Sequence, residues 1–266
     1  MKLLWLTDLH LDRTDEKQRT SFCKKLCGNS ADAVVITGDI SDARHLPGHL
    51  RELGQACSPR PVYFVLGNHD FYGSSFDDVD QSVASVCKDQ ANLRHLGQGE
   101  IIRLGAHDAL VGHRGWADGR AGWGSRSPVW NPDHSSINDF RSLSRRTLWR
   151  RVEELGKASG KYLREVLPYA LRCYEHVWLA THVPPFTAAA SFNGKLCGGH
   201  HLPHYTNLSA GCAINGISKY FPKSRTTILC GHTHSPAAVK VGGNIEVLVG
   251  RVSPGSPDIQ RIFSLN

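Results

Sequence analysis

The sequence predicts a single α/β domain over residues 1–266, in which mixed β-sheets lie between layers of helices. The length of 266 residues is normal for one domain of this class. Short apolar runs alternate with helical patterns early in the chain, which favours a parallel sheet. Later apolar runs are joined in pairs by short turns, which indicates additional antiparallel pairing.

The first part of the chain provides a β-α-β-α-β series. Apolar runs typical of buried strands occupy residues 2–7, 32–38 and 62–66. Helical patterns occupy residues 15–27 and about 46–56. This order predicts parallel neighbouring strands whose carboxyl ends lie at one edge of a sheet.

The second part predicts two hairpins, one long helix and two further strands. The hairpins pair residues 100–104 with 109–113 and residues 237–241 with 245–249. A helix is expected over 140–175, where apolar residues recur at i, i+3, i+4 and i+7. The further strands are expected at 176–181 and 226–230.

Composition and charge narrow the function classes. The chain is 40% hydrophobic and 21% charged, and no apolar segment approaches the length of a membrane span or a secretory h-region. For this reason we do not expect the protein to act on membranes. Eight cysteines without a CxxC pair are expected to be reduced thiols, which favours a cytoplasmic protein. The net charge of +7 would allow nucleic acid as a partner. The basic residues between 145 and 164 are nevertheless expected to form a solvated helix face in preference to a nucleic-acid patch.

Polar side chains follow five of the predicted strands, at the point where each strand ends. They occur in the segments TDLHLD, TGDISD, GNHD, THVPP and CGHTHS. Ligand sites in α/β sheets form beyond the carboxyl ends of the strands. Alternate residues of an extended chain point to the same side, so Asp8 and His10 can reach one site together, as can His232 and His234.

These segments supply two carboxylates, one amide and four imidazoles as candidate metal ligands: Asp8, His10, Asp39, Asn68, His182, His232 and His234. Nitrogen and oxygen ligands without thiolate suit manganese, iron, zinc, cobalt or nickel. Seven ligands are too many for one tetrahedral ion, so two ions sharing a carboxylate are expected, with Asp39 as the best candidate for the bridge. Turn and capping roles explain one such motif, but five in order at strand ends are hard to obtain in that way.

The motifs D-x-H, G-D-x-x-D, G-N-H-D, H-x-P-P and G-H-x-H, in this order, closely resemble those of the calcineurin-like metallophosphoesterase superfamily. The resemblance runs from residue 4 to about residue 250 and implies a four-layer αββα sandwich with a binuclear centre. It implies two divalent transition-metal ions, with manganese favoured over iron, zinc, nickel and cobalt. One ion would be held by Asp8, His10, Asp39 and His234, and the other by Asp39, Asn68, His182 and His232.

The resemblance implies a phosphoesterase that hydrolyses a phosphomonoester or phosphodiester by in-line attack of a hydroxide bridging two metal ions. His69 is absent from the ligand list and is expected to face the substrate, where it protonates the leaving oxygen or stabilises its charge. Resemblance to the protein-phosphatase branch implies that Asp42 orients His69. Asp70 is the alternative, as an orienting group or as a brace for the loop.

Two glycine-rich loops, near 112–139 and 186–224, are expected to form the walls of the substrate site. Arg114 on the first could grip a phosphate, and His201 on the second is a candidate substrate contact. The segments GDISDAR and GNHD depart from the protein-phosphatase patterns, so small phosphoesters, nucleotides included, are favoured. Two alternatives stay open: a nuclease-like phosphodiesterase acting on DNA or RNA ends, and a non-catalytic scaffold that kept the fold.

Overall fold

The computed structural model describes residues 1–253 and 255–265 and contains two mixed β-sheets. The first sheet comprises β1 (Lys2–Leu6), β2 (Ala33–Thr37), β3 (Val62–Val65), β4 (Leu93–His95) and β13 (Arg261–Ser264). Their spatial order is β13-β1-β2-β3-β4. The strands β1 to β4 are parallel, and β13 pairs antiparallel with β1 at the edge.

The second sheet has a parallel centre with an antiparallel strand at each edge. It comprises β5 (Ile102–Arg103), β6 (Asp108–Gly112), β7 (His176–Ala180), β10 (Arg225–Cys230), β11 (Ala237–Val241) and β12 (Ile245–Val249). Their order is β11-β12-β10-β7-β6-β5. Both predicted hairpins, β5 with β6 and β11 with β12, are confirmed. A separate small hairpin joins β8 (Ser191–Phe192) to β9 (Lys195–Leu196).

Helices cover the outer face of each sheet. The first sheet is covered by α1 (Glu16–Cys27), α2 (Leu46–Cys57) and α3 (Phe76–Asp89), and the second by α6 (Arg145–Cys173) and α8 (Leu208–Ser218). Three short helices lie in the connecting segments: α4 (Asp133–Ser136), α5 (Asn138–Arg141) and α7 (Leu202–Tyr205). In the part of the chain that the structure describes, none of the helices combines the length and apolar character needed to cross a bilayer.

Alternation of side chains along the strands explains why there are four layers. On β1, Leu4 and Leu6 pack in the cluster beneath the helices, whereas Leu3 and Trp5 pack in the cluster between the two sheets. The strands are therefore apolar on both faces, and parallel strands that are buried on both faces have nearly continuous apolar sequences. Full burial of each such side chain stabilises the fold by about 1.5–3 kcal/mol. The predicted four-layer αββα sandwich is confirmed.

The helix expected over 140–175 is divided in two. The short α5 ends at Arg141, and α6 begins at Arg145. Ser144 is the N-cap of α6, because its hydroxyl accepts a hydrogen bond from the backbone N–H of Thr147. The break therefore has a local cause, a serine that favours capping over continuing the helix.

Candidate metal centre

The seven predicted ligands meet where the carboxyl ends of the two sheets face each other. Three of them, Asp8, His10 and Asp39, follow β1 and β2, and the other four follow β3, β7 and β10: Asn68, His182, His232 and His234. The loops that carry them bond to one another. The backbone N–H of Asp8 donates to the carbonyl of Gly38 (3.0 Å), and that of His232 donates to Asp8 Oδ1 (2.9 Å), which joins the first sheet to the second.

Unusual backbone conformations are concentrated in these ligands. Six non-glycine residues of the described chain have positive φ, and five of them are predicted ligands: Asp8 (47°), His10 (42°), Asp39 (50°), His232 (68°) and His234 (57°). Aspartate and histidine tolerate this region better than most residues, but each such position still costs of order 1–3 kcal/mol. Strain of this kind persists only where the surroundings enforce it, and it is typical of functional sites.

The first group of ligand atoms comes from Asp8, His10, Asp39 and His234, and all four atoms lie within 4.8 Å of one another. The Nε2 atoms of His10 and His234 are 3.2 Å apart. Nε2 of His234 lies 3.5 Å from Asp8 Oδ1, and Nε2 of His10 lies 3.8 Å from Asp39 Oδ2. Two imidazole nitrogens and two carboxylate oxygens thus face a common point.

The second group is centred on the side-chain oxygen of Asn68. His182 Nε2 and His232 Nδ1 each lie 3.0 Å from Asn68 Oδ1. His182 Nε2 is also 3.3 Å from Asp39 Oδ1. Asp39 therefore turns Oδ1 toward the second group and Oδ2 toward the first, which is the position required of a bridging carboxylate.

Backbone carbonyls fix the orientation of two of the imidazoles. His182 Nδ1 lies 2.8 Å from the carbonyl oxygen of Thr37, and His232 Nε2 lies 2.8 Å from that of His204. A carbonyl oxygen only accepts, so each of these nitrogens donates its proton there. The opposite nitrogen of each ring then faces Asn68, as expected for a metal-binding histidine held from behind.

The charge states suit cation binding. Burial lowers the pKa of His10 and of His232 to about 4, so both rings are neutral and retain a lone pair. Burial alone would raise the pKa of Asp39, but the neighbouring charge of His182 holds it well below its usual range. Burial opposes protonation of His182 as well, yet Asp39 raises the pKa of that ring to about 10. Binding of a metal ion at His182 would displace this proton.

Glycines at two strand ends allow the ligands to approach the backbone. A Cβ atom on Gly67 would lie 2.2 Å from Asp39 Oδ1, and one on Gly231 would lie 1.9 Å from Asp8 Oδ2. Both distances are far below van der Waals contact. These glycines therefore make room for the two carboxylates. The donor set of oxygen and nitrogen atoms without sulfur fits divalent transition-metal ions.

Asp133 holds the side chain of Asn68 in place, and this residue was not identified from the sequence. Its Oδ1 accepts hydrogen bonds from Asn68 Nδ2 (2.8 Å) and from the hydroxyl of Tyr72 (2.6 Å), and its Oδ2 accepts from Asn131 (3.1 Å). Because the amide nitrogen of Asn68 is held by Asp133, the amide oxygen must point at His182 and His232. Asp133 follows no strand, so no strand-end pattern marks it.

Replacing Asp133 with alanine is expected to weaken metal binding by roughly 10- to 100-fold, the usual effect of losing a group that orients a ligand. Without the acceptor, the amide of Asn68 can rotate and present its nitrogen to the ion. Calorimetric titration of the metal-free protein with Mn²⁺ measures this change. Asp77→Ala, at an exposed position on α3, is the matched control. Equal metal affinity in the two variants would contradict the orienting role.

His69 lies beside the ligands, but its neighbours differ from those expected. Its Nε2 is 4.0 Å from Asp39 Oδ2, and its Nδ1 is 3.1 Å from a guanidinium nitrogen of Arg13. The structure does not support the role expected for Asp42, because Asp42 Oδ1 bonds instead to Nδ1 of His45 at 2.7 Å.

Asp70 is a brace for the loop. It is fully buried and accepts hydrogen bonds from the backbone N–H groups of Ile40, Ser41 and Gly67 at 2.7–2.9 Å. These bonds tie the loop after β3 to the loop after β2. Both side-chain oxygens of Asp70 accept from backbone N–H groups, and among the described residues the side chain forms no hydrogen bond with His69.

A cleft of about 280 Å³ opens onto the ligands and His69. The residues that line it are Asp39, Asn68, His69, Tyr72, Val129, Trp130, Asn131, Pro132, Phe192, Asn193, His204, Tyr205, His232, Thr233, His234 and Ser235. Both segments expected to wall the substrate, 112–139 and 186–224, contribute to it.

Neither predicted substrate contact lines this cleft. Arg114 bonds to Asp80 at 2.8 Å and its guanidinium lies over the ring of Phe71, so its charge is already paired away from the ligands. His201 contacts the cleft residue Phe192, with ring centroids 5.0 Å apart, but is not itself in the cleft lining. The expectation that these two residues contact substrate is therefore not supported by where the chain places them.

Comparison with known proteins places this geometry in context. A family model described as calcineurin-like phosphoesterase matches residues 1–236. A transmembrane protein with metallophosphoesterase domain from Bos taurus is 31% identical over 110 residues. That alignment covers 40% of this chain and 24% of the bovine protein, so the likeness is limited to a minor part of each.

Two solved structures share the fold at low sequence identity. A phosphopantetheinyl hydrolase from Mycobacterium tuberculosis aligns with a TM-score of 0.66 at 14% identity, over 96% of this chain and 90% of that one. A dimetal phosphatase from Danio rerio aligns with a TM-score of 0.57 at 14% identity, over 94% of this chain and 87% of that one. At these identities the likeness is one of architecture.

Proposed function

The chain belongs to the calcineurin-like phosphoesterase family, and on that premise we propose that it is a binuclear metal-dependent phosphoesterase acting on small phosphoesters. The observation that carries the proposal is the placement of Asp39. Its two carboxylate oxygens face two separate groups of ligand atoms, each of which includes two imidazole nitrogens. A site for a single ion would need no carboxylate shared in this way.

The two groups define which residues would hold each ion. One ion would be held by Asp8, His10, Asp39 and His234, and the other by Asp39, Asn68, His182 and His232. When bound, two such ions supply positive charge for the phosphate and activate water for in-line displacement. Manganese is the favoured metal, and iron, zinc, nickel and cobalt suit the same donors.

We assign to His69 the role of acting on the substrate oxygen, because it lines the cleft beside the ligand groups. Its ring is stacked on Tyr72, with centroids 4.2 Å apart and planes 28° apart, and its backbone N–H donates to Asp39 Oδ1 at 2.9 Å. The first contact holds the ring and the second holds the backbone of His69, which lines the cleft with Nε2 4.0 Å from Asp39 Oδ2. A fixed donor at this point stabilises negative charge that develops on a phosphoester oxygen.

The cleft favours a small substrate over nucleic acid. Among the described residues that line it there is no lysine or arginine. Binding of a polyanion depends on cations that neutralise successive phosphates, and this cleft lacks them. Trp130 and Phe192 instead offer exposed aromatic surface, 70% and 39% accessible, to the alcohol part of a substrate.

A substrate panel tests the proposal. The protein is stripped with a chelator and reloaded separately with Mn²⁺, Ni²⁺, Zn²⁺ or Mg²⁺. It is then assayed with p-nitrophenyl phosphate, bis-p-nitrophenyl phosphate, cyclic nucleotides and single-stranded DNA. We expect hydrolysis of small phosphoesters that disappears on chelation and returns with Mn²⁺. No hydrolysis with any metal would favour a non-catalytic scaffold, and DNA cleavage that falls steeply with salt would favour the nuclease-like alternative.

A further inference from the structure

Arg13 occupies the place where a carboxylate partner of His69 was expected. It ends the short turn Leu11–Arg13 after β1, and its backbone N–H donates to the carbonyl of His10 at 2.9 Å. Its side chain is about half exposed and reaches His69 Nδ1, 3.1 Å from a terminal guanidinium nitrogen. Its one ion pair among the described residues is with Asp12, at 3.8 Å.

The chemistry of arginine decides which nitrogen of His69 carries the proton. A guanidinium has five N–H donors and no acceptor. A hydrogen bond between Arg13 and His69 therefore requires a lone pair on His69 Nδ1. In the neutral ring the proton must then sit on Nε2, the nitrogen that faces Asp39 and the cleft.

We propose that Arg13 is a positioning residue that holds His69 as its Nε2–H tautomer, so that the ring donates a hydrogen bond to an oxygen of the phosphoester. The inference rests on the proposed function. It assigns to His69 a different role from the one that a carboxylate partner would give it. A carboxylate at Nδ1 accepts a hydrogen bond from Nδ1–H, whereas a guanidinium at Nδ1 donates to the lone pair there and leaves the ring proton on Nε2.

No proton leaves His69 in this role. The Nε2–H bond stays intact and stabilises charge on the substrate oxygen, and the leaving alcohol takes its proton from water. The ring has three contacts that hold it for this purpose: Arg13 at Nδ1, the stacked ring of Tyr72, and a T-shaped contact with His10, whose centroid is 4.7 Å from that of His69. Removing Arg13 leaves the ring in place but frees it to exchange tautomers.

A double-mutant cycle separates this role from direct binding of phosphate by Arg13. In the metal-loaded protein, Arg13→Met is expected to lower kcat by roughly 10- to 100-fold with little change in KM, the scale expected when a reacting group is misoriented. In a His69→Asn background the same change is expected to have less than about a twofold effect, because the two residues act as one unit. Arg13→Lys keeps a donor and is expected to restore most of the activity. Arg151→Met, at an exposed position on α6, is the matched control.

A spectroscopic measurement tests the tautomer without relying on activity. In zinc-loaded protein with ¹⁵N-labelled histidine, long-range ¹H–¹⁵N correlation is expected to show His69 as the Nε2–H form, assigned by its loss in His69→Asn. Arg13→Met is expected to give a mixture of tautomers with unchanged zinc content. An Nδ1–H form in the unmodified protein would overturn the inference, as would equal losses of kcat in the two backgrounds. If the unmodified protein hydrolyses none of the panel, the proposed function fails while the tautomer result still decides the role of Arg13.

Discussion

Replacing Asp39 with asparagine is expected to reduce the metal content of the protein from two ions per chain to one or fewer, and to lower kcat by roughly 10³-fold or more. The substitution keeps the size of the side chain but removes its negative charge and converts one of its two oxygens into a nitrogen that cannot bind a cation. The proposed bridge would then be lost, because each oxygen faces a different ligand group. Metal ions contribute several kcal/mol to stabilising a phosphoryl transition state, and about 1.4 kcal/mol corresponds to a tenfold change in rate.

Elemental analysis after desalting, combined with steady-state kinetics, measures both effects. The matched control is Asp89→Asn, since that carboxylate is 63% exposed and pairs only with Arg51 at 3.9 Å among the described residues. Thermal unfolding of each variant shows whether the fold is retained. If Asp39→Asn kept two ions per chain and near-normal turnover, Asp39 would not be the bridge.

Replacing His69 with asparagine is expected to leave both ions bound and to lower kcat by roughly 10²- to 10³-fold, the effect of removing one fixed donor to a developing negative charge. His69 is outside both ligand groups, so metal content should not change. Asparagine is shorter and cannot place a donor where Nε2 lies, near Asp39 Oδ2 in the cleft lining.

The most informative control for this prediction is Asp42→Asn. The carboxylate of Asp42 bonds to the side chain and the backbone N–H of His45 and not to His69. Turnover of Asp42→Asn is therefore expected to stay within about twofold of the unmodified protein, as for most surface changes away from a site. A loss as large as that of His69→Asn would restore Asp42 as the orienting group. Unchanged turnover of His69→Asn with both ions bound would remove His69 from the mechanism.

The fold was largely predictable because its central strands are short apolar runs closed by turn residues. The edge strand and the outer helices were harder to predict from local sequence patterns. The strand β13 has the sequence RIFS, three of its four residues are exposed, and it is defined by its pairing with β1. The helix α3 was not predicted, although its sequence does contain a helical signal. Its buried residues Phe76, Val79, Val83 and Val86 form an apolar stripe that begins with i, i+3 and i+7 spacing. The small-residue helix α8 offered no comparable contrast between its faces.

In the candidate site, too, some residues could be predicted from the sequence and others could not. Its ligands directly follow strands, so their positions at strand ends could be predicted from the sequence. The i and i+2 geometry of an extended chain does not apply to them, because Asp8, His10, His232 and His234 all have positive φ. The residues that orient them are not local. Asp133 reaches Asn68 across 65 residues of sequence and Arg13 reaches His69 across 56, through loops whose paths depend on tertiary packing. The position of Arg114 outside the cleft lining has the same cause, since its pairing with Asp80 on α3 depends on tertiary packing.

Diffraction from crystals of the protein loaded with Mn²⁺, measured at the manganese absorption edge, tests directly whether the centre holds two ions. We expect two anomalous peaks of similar height about 3.5–4 Å apart, the separation usual in two-metal phosphatases. Both should lie against Asp39, one beside His10 and His234 and the other beside His182 and His232. A single peak, or peaks away from Asp39, would contradict the binuclear centre.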